Sequence, residues 1–99
     1  PFYRLIRITL KHRKPEVLEG GTARFSGLLK KKLGSWVIGP AVPYVSRVRG
    51  YFLMDMLVKL ERHAQKIAFA KAVIRDAISQ LHKAEGFSGV RVQVDVDPY

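Results

Sequence analysis

Apolar and polar side chains alternate along the first dozen residues. Ile6, Ile8 and Leu10 point one way, and Leu5, Arg7, Thr9, Lys11 and Arg13 the other. Alternation with period two marks a half-buried strand, so residues 2–13 are predicted to form one. Lys14-Pro15 breaks the pattern, and proline suits the first turn of a helix. Leu18, Thr22, Phe25, Leu29 and Leu33 then recur at steps of three and four, which predicts an amphipathic helix over residues 16–33. Gly20-Gly21 weakens its first turns by about 1 kcal/mol per glycine, so regular helix is expected only from about Thr22. Lys30, Lys31 and Lys32 close it and Gly34 ends it. Trp36-Val37-Ile38 is a short apolar strand, after which Gly39-Pro40 and Pro43 interrupt regular structure. Residues 40–50 are expected to be an irregular arm or hairpin connection.

Alternation resumes over residues 51–61, with Phe52, Met54, Met56, Val58 and Leu60 on one face and Tyr51, Leu53, Asp55, Leu57, Lys59 and Glu61 on the other. Residues 62–84 carry the strongest helical stripe: Ile67, Ala70, Ile74, Ala77, Ile78 and Leu81, widened by Phe69 and Val73, with Gly86 as the expected C-cap. Val90, Val92, Val94 and Val96 alternate with Arg91, Gln93 and Asp95 in a last strand over residues 90–96, and Asp97-Pro98 ends it. The order β-α-β-β-α-β predicts an α+β fold, the ferredoxin-like split β-α-β arrangement. Right-handed crossovers put both helices on one face of an antiparallel sheet. The valine face of the last strand and the Ile6/Ile8/Leu10 face of the first should pack on the helices. The other sheet face, with Arg7, Thr9, Lys11, Lys59, Arg91 and Asp95, should meet solvent or a partner.

The chain has 99 residues, enough for one domain spanning 1–99. With 47% hydrophobic residues and five prolines its composition is globular. No apolar run approaches the roughly 20 residues of a membrane span, and no signal peptide is visible. A chain that does not begin with Met is expected to be a fragment of something longer. There are no cysteines, which removes disulfides, thiolate nucleophiles and Cys-based zinc sites from this stretch and fits a reducing cytosol.

Charge changes the picture most. The formal net is +10. Residues 1–50 hold 11 basic and 2 acidic side chains, and residues 51–99 hold 7 and 6. So lopsided a field attracts nucleic acid, acidic tails or anionic surfaces, the alternative being a basic surface that only aids solubility. Catalytic signals are weak. Gly20-Gly21 lacks a phosphate-loop continuation, and nothing resembles GxGxxG. His12, His63 and His82 have no ligand spacing and read as surface histidines, and no serine has a nucleophile-elbow context. Asp95 and Asp97 could serve acid–base or metal chemistry, but Asp95 is better read as a cross-strand partner of Arg7 or Lys11. By itself the domain is not expected to be an enzyme.

Three basic clusters are candidates for phosphate contact: Arg4, Arg7, Lys11, Arg13 and Lys14 along or just after the first strand; Lys30, Lys31 and Lys32; and Arg47 with Arg49. The lysine triplet also complements a helix C-terminus. Arg47 and Arg49 lie beside Tyr44 and Tyr51, and basic groups interleaved with aromatics suit single-stranded or junction nucleic acid. Arg49-Gly50-Tyr51-Phe52-Leu53 also looks like the start of an RNP1 motif, so an RNA-recognition motif is an alternative. Leu53 stands where a second exposed aromatic should be, and Leu5 and Arg7 replace the stacking ring of the first strand.

Pro1-Phe2 with Arg4-Leu5-Ile6, the string Val37-Ile38-Gly39-Pro40-Ala41 with Pro43, Arg47-Val48-Arg49-Gly50, and the closing Val94-Asp95-Val96-Asp97-Pro98 together resemble the C-terminal domain of the primosomal protein N′ (PriA) family, bacterial replication-restart DNA helicases. The resemblance spans almost the whole chain. It implies a fold like that of a small-subunit ribosomal protein, and a non-catalytic share in a cytoplasmic, ATP-dependent 3′–5′ helicase. The parent's ATP, Mg and Zn sites would lie outside these residues. It implies branched or single-stranded DNA, single-strand-binding protein, the helicase lobes and other primosome proteins as partners, and no membrane. Arg7, Lys11, Arg13, Lys30, Lys31, Lys32, Arg47, Arg49 and Tyr51 would be the DNA candidates. Arg62, His63 and Lys66, as a group, would face the acidic tail of single-strand-binding protein. The third strand departs from the family: Phe52-Leu53-Met54-Asp55 replaces an aromatic-Arg-aromatic-Gln string, while Lys59 keeps the strand-end lysine. The alternative reading from another class is a structural brace that binds only protein.

Overall fold

The computed structural model describes residues 2–40 and 46–97. Strand β1 (Tyr3–His12) leads into helix α1 (Pro15–Leu33), a single 3₁₀ turn (Gly34–Trp36) and strand β2 (Val37–Ile38). Strands β3 (Ser46–Val48) and β4 (Tyr51–Glu61) follow, then helix α2 (Ala64–Lys83) and strand β5 (Arg91–Val96). The sheet is antiparallel with order β2-β4-β1-β5, and β3 pairs with the free end of β4. This is the ferredoxin-like order expected from β-α-β-β-α-β, with β3 as a fifth, short strand.

The core lies between sheet and helices. Ile6, Ile8 and Leu10 of β1 and Met54, Met56, Val58 and Leu60 of β4 meet Leu18, Phe25 and Leu29 of α1 and Ala70, Ile74, Ala77 and Leu81 of α2. All are buried, and full burial of a large apolar side chain contributes about 1.5–3 kcal/mol. Alternation in the strands and the three-to-four step in the helices therefore describe the same interface from both sides.

Of four local expectations, three are corrected and one is narrowed. Helix α1 begins at Pro15 and runs unbroken through Gly20-Gly21. The glycines serve packing: a Cβ at Gly20 would stand 3.2 Å from the Phe87 ring, and one at Gly21 3.0 Å from Val90 Cγ2. The segment joining α2 to β5 lies on this bare stretch of helix, and its contacts offset the propensity cost. Second, of the two forms expected for this connection, residues 46–50 take the hairpin and not the irregular arm. Arg49 and Gly50, with φ of 52° and 83°, form a two-residue turn between β3 and β4, the doubly left-handed geometry whose twist suits a tight hairpin. Pro43, Tyr44 and the rest of residues 41–45 lie outside the described residues. Third, Gly86 is not the C-cap. Helix α2 ends at Lys83, and Ala84 N–H bonds the carbonyls of Gln80 and Leu81; Gly86, with φ 91°, turns the chain afterwards. Fourth, the apolar stripes are not uniformly covered. Phe69 of α2, which lines a groove between the two helices, is 49% exposed, and Val94 of β5, on an edge strand, is 39% exposed.

Candidate nucleic-acid interface

The helices cover one sheet face, and none of the other described elements covers the opposite one. Cross-strand register places Lys11 opposite Arg91 on one side and Leu53 on the other. Side chains two apart share a face, so Lys11 and Arg13 of the first segment, Tyr51 of β4 and Arg91 of β5 all reach the same end of this open face. Their charges meet at one ring. The Arg13 guanidinium is 4.6 Å from the Tyr51 ring centre, the Lys11 ammonium 5.2 Å and the Arg91 guanidinium 5.4 Å. Each cation–π contact is worth about 0.5–1 kcal/mol at an exposed site. Together they hold three positive charges within roughly one Debye length.

Beside this ring lies a concavity of about 250 Å³ lined by His12, Arg13, Lys14, Tyr51, Gly89 and Arg91. His12 is fixed in it, because its Nδ1 accepts the Lys14 N–H at 2.9 Å. The Arg49-Gly50 turn brings the backbone close: a Cβ at Gly50 would lie 3.6 Å from Arg13 Nη1. Ion pairs join Arg4 to Asp97 and Lys66 to Glu61, and among the described residues no carboxylate pairs with Lys11, Arg13, Lys14 or Arg91.

The other candidates fall elsewhere. Arg7 sits mid-sheet between Leu57 and Asp95. Arg49 is exposed at the hairpin tip near Tyr51, but Arg47 turns to the helix side and lies 5.0 Å over the Phe52 ring. Lys30, Lys31 and Lys32 end α1 in the helix layer; Lys31 and Lys32 line a groove between α1 and α2 with Leu28, Phe69 and Val73. Arg62, His63 and Lys66 gather at the opposite end of the sheet from Tyr51. There Arg62 and His63 line a hollow with Phe2 and Tyr3, while Lys66 Nζ bonds Glu61 Oε1 at 2.8 Å. That bond and the adjacent charge hold the Glu61 carboxyl below its ordinary range. Asp95 and Asp97 do not form a carboxylate pair. Asp95 is exposed on the open face, whereas Asp97, at φ 52°, turns back to β1. Its Oδ1 accepts the Leu5 N–H at 3.1 Å and its Oδ2 meets Arg4 Nε. Arg91 was legible only as an open-face residue; its place in the Tyr51 cluster follows from the β1–β5 register, which no local pattern reveals.

The chain contains no cysteine, and no group of three or more metal-ligating side chains forms among the described residues. No helix among the described residues is long and apolar enough to cross a membrane.

Fold and site thus define a small α+β domain with a charged, uncovered sheet face. The chain belongs to the family of primosomal protein N C-terminal domains, whose pattern matches residues 1–99. That membership gives it a part in the primosome and in replication restart. No curated protein matches it. Among solved structures it is similar to a de novo designed protein, Foldit4, at TM-score 0.62 and 13% identity over 98% of both chains. It also resembles part of a hydantoinase/carbamoylase family amidase from Burkholderia ambifaria, at TM-score 0.60 and 14% identity over 96% of this chain and 27% of the amidase. At such identities the likeness concerns the fold alone.

Proposed function

We propose that this chain is a non-catalytic DNA-binding and protein-docking domain of a cytoplasmic, ATP-dependent replication-restart helicase. One observation carries the DNA half: the uncompensated cations gathered around Tyr51 on an uncovered sheet face. Phosphate contacts by such groups release condensed counterions, so affinity should fall steeply with salt. The face offers no set of side chains arranged against base edges, and binding should be indifferent to sequence. Tyr51 itself, ringed by cations, acts as their anchor rather than as a free stacking platform.

The docking half rests on the opposite end of the sheet. Arg62 and His63 line a hollow with the exposed Phe2 and Tyr3, and Lys66 at its rim offsets the charge of Glu61; positive charge next to apolar surface suits the acidic tail of single-strand-binding protein. The two roles then occupy separate ends, and DNA and tail can be held together.

Fluorescence anisotropy of the chain with single-stranded, duplex and forked DNA, at about 50 and 200 mM salt, tests the reading. The slope of log K against log salt is expected at about 0.7–0.9 per phosphate neutralised. Lys11→Ala with Arg91→Ala should flatten it by about one per lost contact. Binding that is absent at low salt removes the DNA role and leaves a brace that binds only protein.

A further inference from the structure

The cations around Tyr51 do more than spread charge over a flat face. His12, Arg13, Lys14, Tyr51, Gly89 and Arg91 enclose a pocket at the very end of the sheet, where β1 finishes and β4 and β5 begin. The concavity, a cup, opens to solvent at the end of the sheet. Gly89 brings bare backbone to the wall: a Cβ there would stand 3.3 Å from His12 Nε2. Two guanidiniums face the cup, and guanidiniums grip phosphate through paired N–H donors. Lys11 adds a third permanent charge at the Tyr51 ring, and no carboxylate answers any of them among the described residues. Concave walls focus such a field onto one point.

Resting on the DNA-binding reading, we infer that this cup is a phosphate-monoester site that takes the terminal phosphate of a nucleic-acid strand end-on. Charge decides between the two phosphates that DNA offers. An internal diester brings one negative charge, whereas a terminal monoester brings about 1.5–2 at pH 7. It also presents three free oxygens to donors converging from several sides. An internal diester has two of its oxygens tied to sugars and leaves only two for the donors.

Two measurements on the chain test the site. The first is an amide NMR titration with deoxyadenosine 5′-monophosphate and with unphosphorylated deoxyadenosine. The monophosphate should shift Tyr51, Gly89 and Arg91, and the nucleoside should not. The second compares single-stranded oligonucleotides bearing a 5′-phosphate, a 3′-phosphate or neither. An end phosphate should tighten binding about tenfold. Arg13→Ala with Arg91→Ala should abolish that preference. Lys71→Ala with Arg75→Ala, which removes equal charge from the exposed side of α2, should leave it intact. If oligonucleotides bind alike whatever their ends and the monophosphate shifts nothing in the cup, the site is overturned while the DNA reading stands. If the monophosphate binds the cup but no oligonucleotide binds the chain, the strand-end assignment falls together with the DNA reading. Shifts in the cup by an oligonucleotide without end phosphates, equal to those with them, would assign the cup to internal diesters and overturn the monoester assignment.

Discussion

Single residues decide how the sheet is finished. Asp97 adopts a left-handed backbone, donates its own N–H to the Leu5 carbonyl at 2.6 Å and accepts from Leu5 N–H and Arg4 with its carboxylate. The Leu5 amide, more than Arg4, holds its carboxyl below the ordinary value of 3.8. A carboxylate whose folded pKa is depressed adds stability that is complete above the unfolded pKa and is lost as pH falls through the folded one. Asp97→Ala should therefore lower the urea midpoint at pH 7, with the gap to wild type closing as pH drops below 3.8. Asp97→Asn keeps tolerance of the left-handed backbone and an acceptor for Leu5, and should fall between the two. In the sequence Asp97 was legible as a strand stop before Pro98 and as a possible carboxylate partner of Asp95, not as a clasp. Its clasp on β1 depends on a partner 92 residues away.

At the scale of elements, glycines in one helix have opposite meanings. Gly27 lies exposed within α1 with nothing near the place of a Cβ, whereas a Cβ at Gly21 would press on buried Val90. Gly27→Ala should stabilise the domain by about 0.5–1 kcal/mol. Gly21→Ala gains the same propensity but must displace a stiff β-branched side chain, so its midpoint in urea unfolding should fall below wild type. Periodicity located both helices and the long strands because burial imposes it on every turn and every second residue. It could not place β3, whose three residues are too few to show a period, nor foresee that Phe87 and Val90 would make Gly20-Gly21 an asset to the helix.

At the scale of the whole molecule, the sequence showed that the basic charge was concentrated but not where it converged. Arg7, Lys11, Arg13, Arg47, Arg49 and Lys30 to Lys32 are one population in a count of charges. Folded, they divide among the open face, the hairpin and the helix layer, and Arg91 joins Lys11 and Arg13 from the far end of the chain. Strand order made that division, and strand order depends on long-range pairing. The same order sets a mechanical property. Strands β1 and β5 are antiparallel neighbours, and Arg4 and Leu5 sit beside Asp97, so tension applied at residues 2 and 97 pulls apart adjacent ends of one ladder. Its hydrogen bonds would break one after another, each worth only about 1 kcal/mol net, rather than sharing the load. With handles at those two positions, optical tweezers should record β5 peeling away at low force before the helices and β4 give way. Under such load the domain would yield first along the strand that carries Arg91, and the cluster around Tyr51 would come apart with it.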